Sequence, residues 1–239
     1  MGRRALRKVK LETELDLSYH FRQYEDLPRP WSQESLFGRI APLELEIGSG
    51  KGLFLRHASA EFRDHDFLGI EIARRYAQFA GLVLAKEGER DGTGRRNAIC
   101  VAGDALALLN ELIPDESLVA VHVYFPDPWW KARHRKRRVV QETLAHQVQR
   151  TLKPGGTLHF WTDVEEYFHS GIEAILANSS LDGPHEPPER PATNDLDYRT
   201  HFERRTRLAG LPVFRSEFYK PIESIPSPHG NRDCNSSPV

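Results

Sequence analysis

Short apolar runs alternate with longer amphipathic ones from about Arg39 onward, and this rhythm constrains the chain more than any other feature. PLELEI (42–47), DFLGIE (66–71), NAICVAG (97–103), LVAVHVYF (118–125) and GTLHFWTD (156–163) have the length and residue types of strands. Leu53–Ala60, Ile72–Lys86, Ala105–Leu112, about Lys136–Leu152 and Val164–Asn178 read as the intervening helices, with Lys153-Pro154-Gly155-Gly156 as a stop signal. Such alternation implies an α/β fold with a mostly parallel sheet covered on both faces. LVAVHVYF, the most apolar run, is expected at its centre. Thr200–Leu208 reads as a further helix and PVFRSEFYK (212–220) as a late strand. In a sheet of this kind ligands lie beyond the carboxyl ends of the strands.

The pattern divides the 239 residues into a basic N-terminal arm (1–38), a single domain (39–220) and a tail (221–239) with the composition of disorder. The arm, interrupted by Pro28, Pro30 and Trp31, is expected to dock on the domain, and 181–197 reads as an irregular proline-rich loop. Cys100 and Cys234 are far apart, the histidines lack ligand spacing and no apolar run approaches membrane length. A cytoplasmic protein without a metal site is expected, and no membrane association. The formal net charge is −1, yet Lys131–Arg138 holds six Lys or Arg and His134. A near-neutral protein with one dense cationic segment has a local electrostatic footprint, of the kind that nucleic acid binds.

Glu46-Ile47-Gly48-Ser49-Gly50-Lys51-Gly52 stands between the first strand and its helix. Glycines at alternate positions let a backbone turn sharply and approach a ligand closely. A phosphate-binding loop needs glycine where Leu45 stands and Ser or Thr where Gly52 stands. A dinucleotide fingerprint places its third glycine where Leu53 stands. S-adenosylmethionine fits better than either, because its sulfonium and ammonium favour a nearby acid such as Glu46. Gly48 and Gly50 would cradle it, and Glu71 at the end of the second strand is placed for ribose hydroxyls. Asp104, after the third strand, is a candidate for the adenine or its amino group. A tight strand–helix turn flanked by ordinary surface acids is the plainer alternative.

Asp127 ends the fourth strand, boxed by Pro126 and Pro128, which restrict the backbone around it. Phe125-Pro126-Asp127-Pro128-Trp129, followed by Lys131, Arg133-His134 and Lys136-Arg137-Arg138, resembles the signature of the tRNA (guanine-N7-)-methyltransferase family. Glu46 to Gly52, Gly69-Ile70-Glu71, Thr162-Asp163 and Thr200-His201-Phe202-Glu203 extend the resemblance over roughly residues 40–220. Trp130 stands at a position expected to vary. The resemblance implies a doubly wound, Rossmann-like class I methyltransferase sheet, mostly parallel with a late antiparallel strand. It implies an S-adenosylmethionine site lined by Glu46, Glu71, Asp104 and Asp127. Lys131, Asp163, Thr200, His201, Phe202 and Glu203 would contact the substrate, and Arg133, His134, Arg135, Lys136, Arg137 and Arg138 would bind RNA. The implied product is N7-methylguanosine in the variable loop of tRNA. Bacterial members are generally single-subunit enzymes, so no obligatory protein partner is expected, and the chain is expected to be a monomer or homodimer.

Guanine N7 has an in-plane lone pair and no proton, so its methylation is a positioning task without a general base. The purine becomes positive, and Asp127 or Asp163 is placed to stabilise that charge. Trp129 and Trp130 are equal candidates for stacking on an extruded base. The cations also suit a solvated helix N-terminus, although the helix dipole opposes them there. Thr200-x-x-Glu203 also suits a helix cap. A methyltransferase with another acceptor and an RNA-binding module without catalysis are the competing functions. His122 and His159, in apolar strands, are expected to be interior residues.

Overall fold

The computed structural model describes residues 16–90, 92, 96–188 and 198–222. Eight strands form one sheet: β1 (Phe21–Gln23), β2 (Leu43–Ile47), β3 (Asp66–Glu71), β4 (Ala98–Ala102), β5 (Leu118–Tyr124), β6 (Leu152–Thr162), β7 (Asp182–His185) and β8 (Phe214–Tyr219). Their order is β1-β4-β3-β2-β5-β6-β8-β7. All pairs from β1 to β6 are parallel, whereas β8 runs antiparallel to β6 and β7 antiparallel to β8. The apolar β5 lies between β2 and β6, inside the sheet as its composition requires.

The helices α1 (Gln33–Phe37), α2 (Leu53–Glu61), α3 (Arg74–Arg90), α4 (Ala105–Glu111), α5 (Glu142–Thr151), α6 (Glu165–Asn178) and α7 (His201–Leu208) cover the sheet. One core joins Leu45, Ile47, Leu68, Ile70, Val121 and Val123 of the strands to Leu108, Leu144, Val148 and Ile175 of α4, α5 and α6. The other joins Phe67, Cys100 and Trp161 to Leu55 of α2 and Ala77, Ala80 and Leu84 of α3. Burial of each large apolar side chain contributes about 1.5–3 kcal/mol, and β3 is buried along its whole length.

Three segments depart from the pattern expected of the sequence. The arm contributes β1, whose Phe21 to Gln23 pair with Cys100 to Ala102, while residues 1–15 and their basic cluster Arg3, Arg4, Arg7, Lys8 and Lys10 lie outside the described residues. The helix expected from Lys136 begins only at Glu142, because Ala132–Arg137 form a 3-10 segment and Arg138 turns inward. Consecutive cations at an α-helical N-terminus would oppose its dipole, and this arrangement avoids that. Within the expected loop 181–197, Asp182–His185 form the edge strand β7, and 189–197 lie outside the described residues. The expected stop at Lys153–Gly156 agrees with the end of α5 at Thr151, and these residues bulge within β6, where the register shifts between Leu118↔Leu152 and Ala120↔Thr157.

Beneath the carboxyl edge, a row of ionisable groups crosses the sheet. Glu44 pairs with His65 Nδ1 at 2.6 Å and His122 Nε2 at 2.7 Å. The His122 ring stacks on His159 with centroids 4.7 Å apart, and His159 Nδ1 lies 3.0 Å from Glu217 Oε1. His122 Nδ1 lies 2.9 Å from Tyr124 Oη, so a neutral ring donating to Glu44 and accepting from Tyr124 satisfies both nitrogens. Burial accordingly depresses the His122 pKa to about 4. Because this value lies below the ordinary histidine range, the unfolded chain takes up a proton that the fold refuses. The stability involved is present above about pH 6.5 and is lost as pH falls through 4. The melting temperature of the wild-type chain is therefore expected to fall relative to that of His122→Gln between pH 6.5 and 4, measured by circular dichroism. Parallel curves for the two proteins over that range would show that His122 does not titrate in this way.

Candidate active site

The turn after β2 depends on its glycines. Gly48, Gly50 and Gly52 have φ of 81°, 54° and 73°, a region that favours glycine. The Gly48 N–H donates to Ile70 O at 2.8 Å, carrying the β2–β3 ladder beyond the strand end. At Gly52 a Cβ would lie 2.7 Å from the Ala80 Cβ, so glycine lets α2 sit against α3. Glu71, buried at the end of β3, accepts from Gly50 N–H at 3.0 Å and Ala73 N–H at 2.8 Å. One carboxylate thus holds the loops after β2 and β3 together.

Glu46 is treated differently. It is 3% exposed, and its Oε2 has no hydrogen-bond partner among the described residues. Burial, with Glu71 adding to it, pushes its pKa up to about 8. An orphaned buried carboxyl beside a glycine turn fits a cationic ligand group. Asp104, exposed after β4, caps α4 through Oδ1, which accepts from Leu106 N–H at 2.8 Å and Ala107 N–H at 3.1 Å. Ile72, directly after Glu71, is 66% exposed and adds an apolar surface that the sequence reading passed over. The available signal was an isoleucine placed between a strand-end acid and the next helix.

The loop after β5 is strained and well anchored. Phe125 and Trp129 have φ of 49° and 47°, a conformation that costs an aromatic residue on the order of 1–3 kcal/mol. Phe125 N–H donates to Trp161 O at 2.8 Å, and its ring stacks on Phe202 with centroids 6.4 Å apart. Arg137 lies 5.1 Å from the Trp129 ring, which His134 meets edge-on at 5.9 Å. Pro128 O accepts from Arg138 Nε at 2.8 Å. Asp127 is exposed between these anchors, at the carboxyl end of the strand neighbouring the one that leads to exposed Asp163.

Lys131, the N-cap of the 3-10 segment, and Arg133, Arg135, Lys136 and Arg137 within it are exposed, and His134 is half-buried. Arg138 corrects the reading of the whole run as an RNA-binding surface. It is buried, forms a bidentate pair with Glu166 at 3.1 and 2.6 Å, donates to Ser170 and packs on the Tyr167 ring. Its guanidinium is therefore committed to the protein interior. Glu203 likewise departs from the expected substrate contact. It is 2% exposed, accepts from Arg199 N–H at 2.7 Å and pairs with Arg207 at 3.2 Å. Thr200 Oγ1 accepts from Glu203 N–H at 3.0 Å, so these two residues form the cap of α7. His201 and Phe202 remain exposed on the first turn. Partial desolvation, with Lys51 and Arg204 nearby, lowers the His201 pKa and relates α7 to the glycine turn.

A doubly wound sheet carrying a glycine turn after β2, a buried acid closing β3 and a proline-boxed acid after β5 is a class I S-adenosylmethionine-dependent methyltransferase fold. The aminoglycoside resistance methyltransferase NpmB1 has this fold, with a TM-score of 0.52 and 18% identity over 79% of this chain and 93% of its own. A family model described as "Putative methyltransferase" matches residues 40–216. The tRNA (guanine-N(7)-)-methyltransferase of Rhodopirellula baltica is 47% identical over 90% of this chain and 79% of its own. The proteins of that name from Alcanivorax borkumensis and Pseudomonas putida KT2440 are 42% and 38% identical, over 78% and 80% of this chain and 76% and 77% of theirs. The chain belongs to the tRNA (guanine-N(7)-)-methyltransferase family.

The raised pKa of Glu46 yields a test of the cofactor site. In the free protein its ionisation costs stability as pH rises from the ordinary carboxylate range through about 8. A bound ammonium or sulfonium favours the anion, so binding of S-adenosylmethionine at pH 7 is expected to release a proton and tighten between about pH 6 and 7.5. Calorimetry in two buffers of different ionisation enthalpy measures that release, and Glu46→Gln is expected to abolish it and weaken binding about tenfold or more. Proton release unchanged in Glu46→Gln would remove Glu46 from the site.

Proposed function

We propose that this protein transfers the methyl group of S-adenosylmethionine to N7 of a guanine in tRNA, in the variable loop, within the cytoplasm and without an obligatory protein partner. Residues 39–220 would form the catalytic domain. The observation that carries this reading is the anchored loop after β5, which presents Asp127 beside five exposed cations. No helix among the described residues is long and apolar enough to cross a membrane.

S-adenosylmethionine supplies a methyl carbon made electrophilic by its sulfonium sulfur. Glu46 would take the cationic end of the cofactor through the oxygen that has no partner among the described residues. Glu71 would accept from ribose hydroxyls, while Gly48 and Gly50 allow close approach. The Asp104 oxygen that does not cap α4 would take the adenine amino group, and exposed Ile72 would lie against the ring. Guanine N7 attacks through its own lone pair, so no residue need remove a proton. Asp127 and Asp163 would orient the base and stabilise the positive charge that develops on it. Lys131, Arg133, Arg135, Lys136 and Arg137 would hold phosphates, with His134 bracing Trp129 beneath them.

Two experiments test this division of labour. Asp127→Asn, incubated with unmodified tRNA and labelled cofactor, is expected to form N7-methylguanosine at least about 100-fold more slowly, a loss typical of a missing electrostatic contact. Turnover at the wild-type rate would remove Asp127 from the mechanism. Lys136→Ala is expected to reduce the slope of log affinity for tRNA against log salt by roughly 0.7–0.9 while leaving the melting temperature unchanged. Arg138→Ala should instead destabilise the fold by roughly 2 kcal/mol, discounted for the half-exposed Glu166, with the urea midpoint as its measure. A stable Arg138→Ala protein that had lost only its salt dependence would reverse the two assignments.

A further inference from the structure

Trp129 and Trp130 are adjacent in sequence, yet their surroundings differ. The left-handed backbone at Trp129, φ 47°, turns the chain between them. Trp129 is partly buried, with Arg137 over its ring at 5.1 Å and His134 at its edge at 5.9 Å. Trp130 is 64% exposed, more than any other Trp or Phe among the described residues. No ring or cation packs on it among those residues.

A single exposed apolar side chain is ordinary on a protein surface. The position of Trp130 is not ordinary. It lies three residues after exposed Asp127 and directly before Lys131, the first of the exposed cations. The turn that frees its indole is strained and is held by contacts on both sides, through Trp161 O and Arg138. A flat aromatic face beside a phosphate-binding segment recognises a flat ring attached to a phosphodiester chain, because every nucleobase offers a π-face for stacking.

We propose that Trp130 is a specificity-determining residue that stacks on an unpaired base of the RNA substrate next to the reacting guanine, while Trp129 is the brace that orients it. This rests on the RNA reading given above. A guanine whose N7 must meet the methyl carbon leaves its helical stack, and the neighbouring base loses a partner that the indole replaces. Trp129 does not serve as the platform, since Arg137 already covers its ring.

The test follows tryptophan emission and methylation kinetics of the full-length chain with unmodified tRNA, comparing wild type, Trp130→Ala and Trp130→Phe. The chain has 4 tryptophans, and base stacking on Trp130 is expected to quench part of their emission when tRNA binds. Trp130→Ala should lose that quenching and raise KM for tRNA about tenfold, the size of one base–aromatic stack, with kcat and cofactor affinity nearly unchanged. Trp130→Phe should recover most of the KM. Wild-type KM and undiminished quenching in Trp130→Ala would overturn the proposal, as would an equal loss in Trp130→Phe. The outcomes for the underlying function are separate. Quenching without any N7-methylguanosine would refute the proposed reaction but keep the stacking, whereas product formed by Trp130→Ala at wild-type KM would do the reverse.

Discussion

Two carboxylates are buried at the carboxyl edge of the sheet, and the difference in their compensation organises the site. Burying a carboxylate is unfavourable unless hydrogen bonds replace its water. Glu71 receives backbone N–H groups from Gly50 and Ala73, so the loops after β2 and β3 become one rigid unit. Glu46, only two positions from the same turn, keeps an oxygen without a partner among the described residues, and its pKa rises to about 8. The first carboxylate stabilises the frame. The second leaves a local deficit of positive charge that a cationic ligand can supply. Rigid placement by Glu71 is what makes the deficit at Glu46 specific, because a mobile turn would close over it or admit water.

The cationic segment shows the same division between frame and function. Its last member, Arg138, is drawn inward to Glu166 and to Pro128 O, while the preceding cations stay in solvent. That inward arginine fixes one end of the loop holding Asp127, and the Phe125 N–H to Trp161 O bond fixes the other. Left-handed backbone at two aromatic residues is tolerable only under such restraint. The run therefore carries its own anchor, and its exposed charges are presented from a fixed base.

Sequence patterning reveals the strands well where apolar runs are long, as at β3, whose expected and observed bounds both span Asp66–Glu71. It misses β7, because DGPH has no apolar signal, and β1, because FRQ is too short to show a period. The family resemblance and the placement of acids at strand ends point to one edge of the sheet, and Glu46, Glu71 and Asp127 do lie along it. Individual roles are less legible. LELEI places Glu44 and Glu46 at alternate positions, ordinarily the pattern of a solvated face, yet Glu46 is buried and Glu44 is tied to two histidines. Arg138 looks like its neighbours in sequence, since Glu166 lies 28 residues away and only the fold joins them. Asp104 and the Thr200–Glu203 pair have residue types that suit a helix cap and a ligand contact equally, so geometry must separate the two.

That separation gives the cap of α7 a part in the site even though Glu203 is buried. Thr200 and Glu203 fix the first turn, and this holds Phe202 against Phe125, the first strained residue of the Asp127 loop. Arg205 also packs on the Phe202 ring, 4.5 Å from its centroid. Next to the cap, Arg199 lies 5.2 Å from the ring of Trp161, whose carbonyl receives the Phe125 N–H. Two contacts, one from α7 and one from the residue before its cap, thus reach the two residues joined by the Phe125 N–H to Trp161 O bond. Loosening the cap would relax that turn without removing any group from the candidate site. Residues 200–203 therefore bear on the position of Asp127 through packing, with His201 and Phe202 as the members of the motif left exposed.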